Sequence, residues 1–360
     1  MLNFNDIFVD DTKYGMKIPK EKYLSVGLYP VIDQSKEQIA GYTDESEGIY
    51  CDVPAIIFGD HTRIIKYIDV PFFLGADGTK LLKIKDNTAF NCKYLYYALS
   101  NAKIPNTGYN RHFKWLKELS FNIPSIEKQR EIADLMDIIV NLENLRKKQL
   151  EKLELFVKSR FIEMFGDPVT NEKGWVKVRL ADKCCIITGN TPPRANEKYY
   201  GSYIEWIKSD NITSSMYLTK AAEYLSEEGL AVGKKVESGS VLMTCIAGSL
   251  KSIGNVAIAD RPVTFNQQIN AVVTNEQNTL FMYEQFKLTK EYITCDVNMA
   301  LKGILSKGQL SEKQFIFPPI ELQNQFADFV AQVDKSKLAI QQSLYELETL
   351  KKSLMQQYFD

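Results

Sequence analysis

The sequence predicts an α+β protein in which two globular domains alternate with two long helices. The helices pair as an antiparallel coiled coil, and the whole chain is an internal pseudo-twofold repeat. Three observations carry this. The stretch FNIPSIEKQREIADLMD beginning at Phe121 is written again as FIFPPIELQNQFADFVA beginning at Phe315. After each copy the chain sheds glycine and proline and fills with Leu, Ile, Glu, Lys and Gln, which are helix formers. Ahead of each copy lies a segment that mixes short β-type runs with glycine-bearing turns. The expected order is a domain at 1–120, a helix at 121–167, a second domain at 168–314 and a second helix at 315–360.

In the first domain Ala55-Ile56-Ile57-Phe58 reads as a short β-type run, and Lys93 to Leu99 as a closing helical stretch. Pro124 and Pro318 mark the entries of the long helices, because proline fits a first helical turn and breaks what precedes it. Along the first helix Leu135, Ile138, Leu142, Leu145, Leu153 and Phe156 fall mostly three or four apart. Leu338, Leu344, Leu347, Leu350 and Leu354 do the same along the second. This spacing predicts one apolar stripe per helix, suited to a two-helix seam. A helix of about 35 to 40 residues is roughly 50 to 60 Å long, enough to hold two domains apart. The second domain opens with a Pro-Pro loop, Asn190 to Arg194, and contains the strand-like run Val241 to Thr244.

Bulk properties exclude several function classes. With 45% apolar and 25% charged residues the composition is that of a globular protein. Net charge is −1, so any nucleic-acid surface must come from placement of basic side chains on one face. The opening Met1 to Asp6 lacks a basic start followed by an apolar run, and no stretch approaches the roughly 20 apolar residues needed to span a bilayer. The expectation is a cytoplasmic chain with no membrane partner. Six cysteines without a Cys-x-x-Cys pair, and two histidines, argue for reduced structural thiols and no metal site. Cys184 and Cys185 point to opposite faces of a strand.

Motifs for chemistry are few. Asn190-Thr191-Pro192-Pro193-Arg194 is a poor match to the Asn-Pro-Pro-aromatic site of amino-methyltransferases, since threonine intrudes and arginine replaces the ring. The chain has no Glu-x-Lys and a single Asp-x-Lys at Asp11, so a metal-dependent nuclease is not expected. Gly59-Asp60-His61-Thr62-Arg63 could supply a His-Asp pair, but no nucleophile motif accompanies it. The favoured reading has Thr62, Arg63 and Lys66 contacting phosphates or base edges while Asp60 and His61 hold the turn. Lys208 and Asn211 have the chemistry for phosphate or adenine contact beside Trp206, itself read as core. Gln267, Gln268 and Lys302 are weaker candidates of the same kind. Arg111, Lys114 and Arg194 complete the expected DNA-contacting set.

The residues together resemble the DNA-specificity subunit of type I restriction-modification systems. The resemblance rests on the two helix starts with Pro124, Glu127 and Gln129 and with Pro318, Glu321 and Gln323, and on Arg160 to Pro168 at the end of the first helix. Trp175 to Leu180, Gly189 to Pro193, Trp206, Gly41-Tyr42-Thr43 and Gly59 to Arg63 are similar to segments of the same family. It implies two target-recognition domains, each reading one half of a bipartite site in double-stranded DNA, with the helices as a ruler. Half-sites one helical turn apart lie about 34 Å apart, within reach of such a rod. It implies a non-catalytic chain that binds no cofactor itself. Two modification subunits would dock on the repeated helix starts at Pro124, Glu127, Gln129, Pro318, Glu321 and Gln323, and would bring S-adenosylmethionine. Restriction subunits would bring ATP and magnesium. A specificity chain for a fused restriction-methylation enzyme, and a coiled-coil scaffold that touches no DNA, are the alternatives. The first domain is shorter than the second.

Overall fold

A computed structural model of the chain describes residues 1–75, 77–108, 110–299 and 303–359. It divides into two compact units, Met1–Lys148 with Gln341–Asp360, and Gln149–Ile340.

Unit 1 contains β1 (Phe8–Asp10), β2 (Tyr29–Ile32), β3 (Gly41–Thr43), β4 (Ala55–Gly59), β5 (Ile65–Ile68), β6 (Phe73–Leu74) and β7 (Thr79–Ile84). Helices α1 (Cys92–Asn101) and α2 (Phe113–Lys117) follow, then the start of the long α3 (Ile126–Phe165). An antiparallel sheet runs β1-β7-β4-β5, and a smaller one runs β3-β2-β6 with β2 and β6 parallel. Every residue of β4 is buried, because the sheet is covered on both faces. Ile56 and Phe58 pack toward α1 against Tyr94 and Leu95. Ala55 and Ile57 point the other way, onto Tyr50, Phe72 and Leu74. The two-residue period of a strand sorts one apolar run into two cores.

Unit 2 repeats this plan. Its strands are β8 (Cys184–Thr188), β9 (Ile204–Ile207), β10 (Tyr224–Leu225), β11 (Val241–Thr244), β12 (Val256–Ile258), β13 (Val263–Phe265) and β14 (Ile269–Thr274). Helices α4 (Thr279–Leu288) and α5 (Lys307–Glu312) lead to the long α6 (Ile320–Phe359). The main sheet runs β8-β14-β11-β12, and β9 pairs antiparallel with β10 and parallel with β13. Val241 and Met243 face the aromatic core around Phe281, while Leu242 faces Ile207 and Phe265. Each unit is also closed by a matching short ladder, Leu2–Asn3 with Ser120–Phe121 and Lys177–Arg179 with Gln314–Ile316. The helix Glu227–Val232 and the strands Tyr200–Gly201 and Lys235–Val236 belong to unit 2, which accounts for part of its greater length.

The long helices run antiparallel within each unit. In unit 1 Lys351 pairs with the buried Glu143 at 2.8 Å, and Phe359 lies 5.1 Å from Tyr94. In unit 2 Lys337 pairs with Glu154, Phe156 meets Phe329 at 5.0 Å, and Phe161 meets Phe326 at 5.4 Å. The seam predicted from spacing is corrected here. Leu135, Ile138, Leu142 and Leu145 are 36 to 58% exposed. The inward face of this part of α3 is Ile132, Ala133, Met136, Ile139 and Glu143. Both sets have helical spacing, and the buried carboxylate interrupts the one that faces inward. Leu338 and Leu350 of the second series are likewise exposed.

Candidate nucleic-acid interface

Four connections meet at one edge of the main sheet in each unit. In unit 1 they are the segment after β2, the Asp60–Ile64 turn between β4 and β5, the β6–β7 turn and the loop leading to α2. Asp60 is their common pin. Its N–H donates to Gly78 O at 2.7 Å, and its carbonyl accepts from the His112 N–H at 2.8 Å. Its carboxylate accepts from the Phe113 N–H at 2.7 Å. Gln34 ties the remaining connections: its Oε1 accepts from the His61 N–H, its Nε2 donates to Asp77 O, and its carbonyl accepts from the Thr62 hydroxyl.

On this frame Thr62 is exposed, and Arg63, half-buried, sends one guanidinium nitrogen to Ile104 O at 3.3 Å. Arg63 has φ +60°, a left-handed backbone that a side chain other than glycine rarely adopts. Arg111 and Lys114 are exposed, with Lys114 lying over the Trp115 ring at 4.8 Å. Lys17, bonded to Asp77 at 2.7 Å, and the nearby Arg111 hold the Asp77 carboxyl below the usual carboxylate range. Lys66 does not join them. It stands opposite the buried Ile57 in the β4–β5 pair, is 2% exposed, and donates to Glu37 O. Burial pushes its ammonium down, against the charges of Asp33 and Glu37. The inward side of the strand claims it, so its assignment to DNA is withdrawn.

Unit 2 builds the same edge with the same two cross-ties. The Cys245 N–H donates to Gln268 O at 2.7 Å, and the Leu305 N–H donates to Cys245 O at 2.8 Å. Cys245 thus stands where Asp60 stands in unit 1. Beside this edge Arg194 and Lys208 converge on Glu223, Arg194 at 2.8 Å. Their cations lie over Trp206 at 4.9 and 5.2 Å, with Arg194 also 4.6 Å from the Tyr200 ring. The Lys208 hydrogen bond, despite some burial, and the Arg194 charge hold the Glu223 carboxyl down. Trp206 is 3% exposed and donates its indole N–H to Asn190 O at 3.2 Å, so it is a floor under the cations. Gln267 is exposed and accepts from the Thr191 hydroxyl. Asn211 is corrected. It is 8% exposed, accepts from the Lys208 N–H and donates to Lys220 O, so it closes its own turn. Lys302 lies outside the described residues.

The repeated helix starts also find a different role. Gln129 is fully buried; it accepts from the Asn91 N–H at 2.9 Å and donates to Ala89 O and Pro124 O at 3.0 Å. Gln323, 1% exposed, accepts from the Asn278 N–H at 3.0 Å and donates to Pro318 O at 2.8 Å. Asn91 and Asn278 are the N-caps of α1 and α4. Each glutamine therefore bolts a long helix to the capped helix of its own domain. Gln129, Gln323 and the buried Pro318 offer no docking surface, whereas Glu127 and Glu321 are exposed in the first helical turn, where the helix dipole favours them. Gln323→Ala leaves the Asn278 N–H without this acceptor and is expected to cost about 1–3 kcal/mol. Glu321→Ala is expected to stay within about 0.5 kcal/mol. Urea midpoints of the two variants check this, and equal midpoints would remove the joint.

The thiols of Cys92, Cys184 and Cys245 are pushed up to about 12 by burial, so they are not nucleophiles near neutral pH. Cys185, next to Cys184 on β8, is exposed. Among the described residues no helix is long and apolar enough to cross a membrane.

The model of the type I restriction modification DNA specificity domain family matches residues 3–155 and again 172–349. The chain belongs to this family. The two matches in this specificity-domain protein coincide with the two copies of the fold described above. A specificity subunit of a type I restriction enzyme from Haemophilus influenzae is 31% identical over 118 residues, which is 32% of this chain and 25% of that protein. One from Escherichia coli is 25% identical over 284 residues, 76% of this chain and 69% of that one. The chain thus spans a quarter of the length of the first relative. The S subunit of a type I system from M. genitalium superposes with TM-score 0.66 at 16% identity, over 99% of this chain and 95% of that one. A chain from a structure of type I restriction-modification assembly gives 0.58 at 16% identity, over 99% and 96%. These two likenesses establish the shared fold.

The sequence reading missed Gln34, the 245–255 loop and the role of His112. A signal was present in the Asn caps at Asn91 and Asn278, which mark the same helix in both copies.

Proposed function

We propose that this chain is the DNA-recognition subunit of a type I restriction-modification complex, each unit reading one half of a bipartite duplex site. The observation that carries the reading is the edge built twice, with the same pair of cross-ties at Asp60 and at Cys245, on a fold that belongs to the specificity-domain family. Arg63, Arg111 and Lys114 on one edge, and Lys208, Arg194 and Gln267 beside the other, give each a polar and cationic rim. Such side chains position a duplex through its phosphates and read base edges. The long helices set the spacing between half-sites and present the docking surface for two modification subunits. Restriction subunits join the full complex. The chain itself supplies binding, while its partners bring S-adenosylmethionine, ATP and magnesium and carry out the reactions on DNA in the cytoplasm.

Sequencing of methylated bases in a host carrying this chain and its modification partner tests the reading, with a two-part motif of fixed spacing as the expected result. Methyl transfer by the purified chain alone would sink it. Arg63→Ala with Arg111→Ala is expected to weaken duplex binding by the complex. It should also lower the slope of log affinity against log salt by about one for each phosphate that the variant no longer neutralises. Unchanged affinity and slope would remove both residues from the interface.

A further inference from the structure

The topological counterpart of the Asp60–Ile64 turn in unit 2 is the longer connection between β11 and β12, residues 245–255. It is a built feature. Its base is closed by the Thr244 N–H donating to Asn255 O at 2.9 Å and the Gly254 N–H donating to Thr244 O at 2.8 Å. Its tip is closed by the Ser252 N–H donating to Ser249 O at 3.0 Å. Ile253, fully buried, anchors it in the core, and Ile246–Ala247 pairs with Gly303–Ile304. Gly248 to Lys251 are exposed at the tip, Leu250 by 45%.

Behind the tip lies a cleft of about 330 Å³, whose walls include Ser209, Asp210, Ser252, Asn255 and Gln268. Hydroxyls, amides and one carboxylate face the same space, a set that both donates and accepts. A phosphate needs donors alone, whereas a base edge in the major groove presents both senses. The cation chemistry sits at the side. Lys290 Nζ donates to Lys251 O at 2.6 Å and to Asn255 Oδ1, and neither lysine is in an ion pair among the described residues. Burial and the neighbouring Lys251 charge both push the Lys290 ammonium down. An anion next to this pair would relieve the repulsion.

We infer that the 245–255 loop reads the second half-site, its tip entering a groove of the duplex, with Lys251 on a backbone phosphate and base edges against the cleft wall of Ser252, Asn255 and Gln268. The inference rests on the DNA-recognition reading above and assigns half of it to one element. The first unit has only the short Asp60–Ile64 turn at this place, so the two halves are read by different means.

The test uses the full chain with its modification partner and the methylated motif as readout. Ser252→Ala with Asn255→Ala is expected to lower discrimination about ten- to hundredfold at one or two positions of a single half-site. The other half and the spacing should be retained. Lys251→Ala is expected to weaken binding to all sites alike and to take about one from the salt slope. The retained first half-site is the internal control for folding. A motif unchanged in both halves overturns the assignment, and so does equal loss in both, since a reader of one half leaves the other intact. A wild-type complex that yields no two-part motif would instead overturn the DNA-recognition reading, whatever the loop does.

Discussion

Phe161→Ala is expected to destabilise unit 2 by about 3–5 kcal/mol. The Phe161 ring is fully buried and touches aromatic partners from three helices: Phe165 on α3 at 5.0 Å, Phe281 on α4 stacked at 5.5 Å, and Phe326 on α6 edge-on at 5.4 Å. Alanine removes one ring and leaves the other three facing a void that a close-packed interior cannot collapse around. Urea denaturation followed by tryptophan fluorescence checks this, because Trp175 and Trp206 both report from unit 2 and Trp175 lies 6.5 Å from Phe165. Leu155→Ala, at a position 62% exposed on the same helix, is the control and should move the midpoint little. Equal midpoints for the two variants would contradict the packing account.

If two modification subunits dock as proposed, Ile138→Glu with Leu142→Glu is expected to leave only one of them bound while the fold stays intact. Leu135, Ile138, Leu142 and Leu145 form an unbroken exposed apolar stripe at three-four-three spacing in unit 1, the pattern into which a partner helix with its own apolar stripe packs. A carboxylate buried at such a contact without a counter-charge costs several kcal/mol. The positions that correspond in the second repeat are Phe329, Gln332, Ser336 and Ala339. Phe329 is already packed by Phe156, and the next two are polar. If two modification subunits dock as proposed, the second site is built from other residues and the two partners are held unequally. The mass of the purified complex measures this, with loss of both partners or of neither counting against the stripe.

Much of the architecture could be read from the chain because its signals are local. Proline and glutamate announce each long helix, and the apolar run at Ala55 to Phe58 announces the central strand. What escaped the reading depends on which face meets a neighbour. Leu135 to Leu145 is the cleaner apolar stripe, yet α3 buries the face interrupted by Glu143, because Lys351 supplies the countercharge from a residue far along the sequence. Lys66 looks like a surface cation until its register opposite Ile57 is known. Gln129 and Gln323 were conspicuous as repeats, and their repetition reflects the same joint made twice. The correspondence of the Asp60 turn with the 245–255 loop was hidden by the difference in loop length and by the change from aspartate to cysteine at the pin.

Unit 2 is one uninterrupted stretch, 149–340, whereas unit 1 needs Gln341–Asp360 as well as Met1–Lys148. Leu354, Met355, Tyr358 and Phe359 complete the core that holds Tyr94 and Met136. Domains usually fold in the order in which they are synthesised. Here the part made first must wait with that apolar seat open while the second unit is made, and residues 341–359, which follow that unit in the chain, finish the first domain.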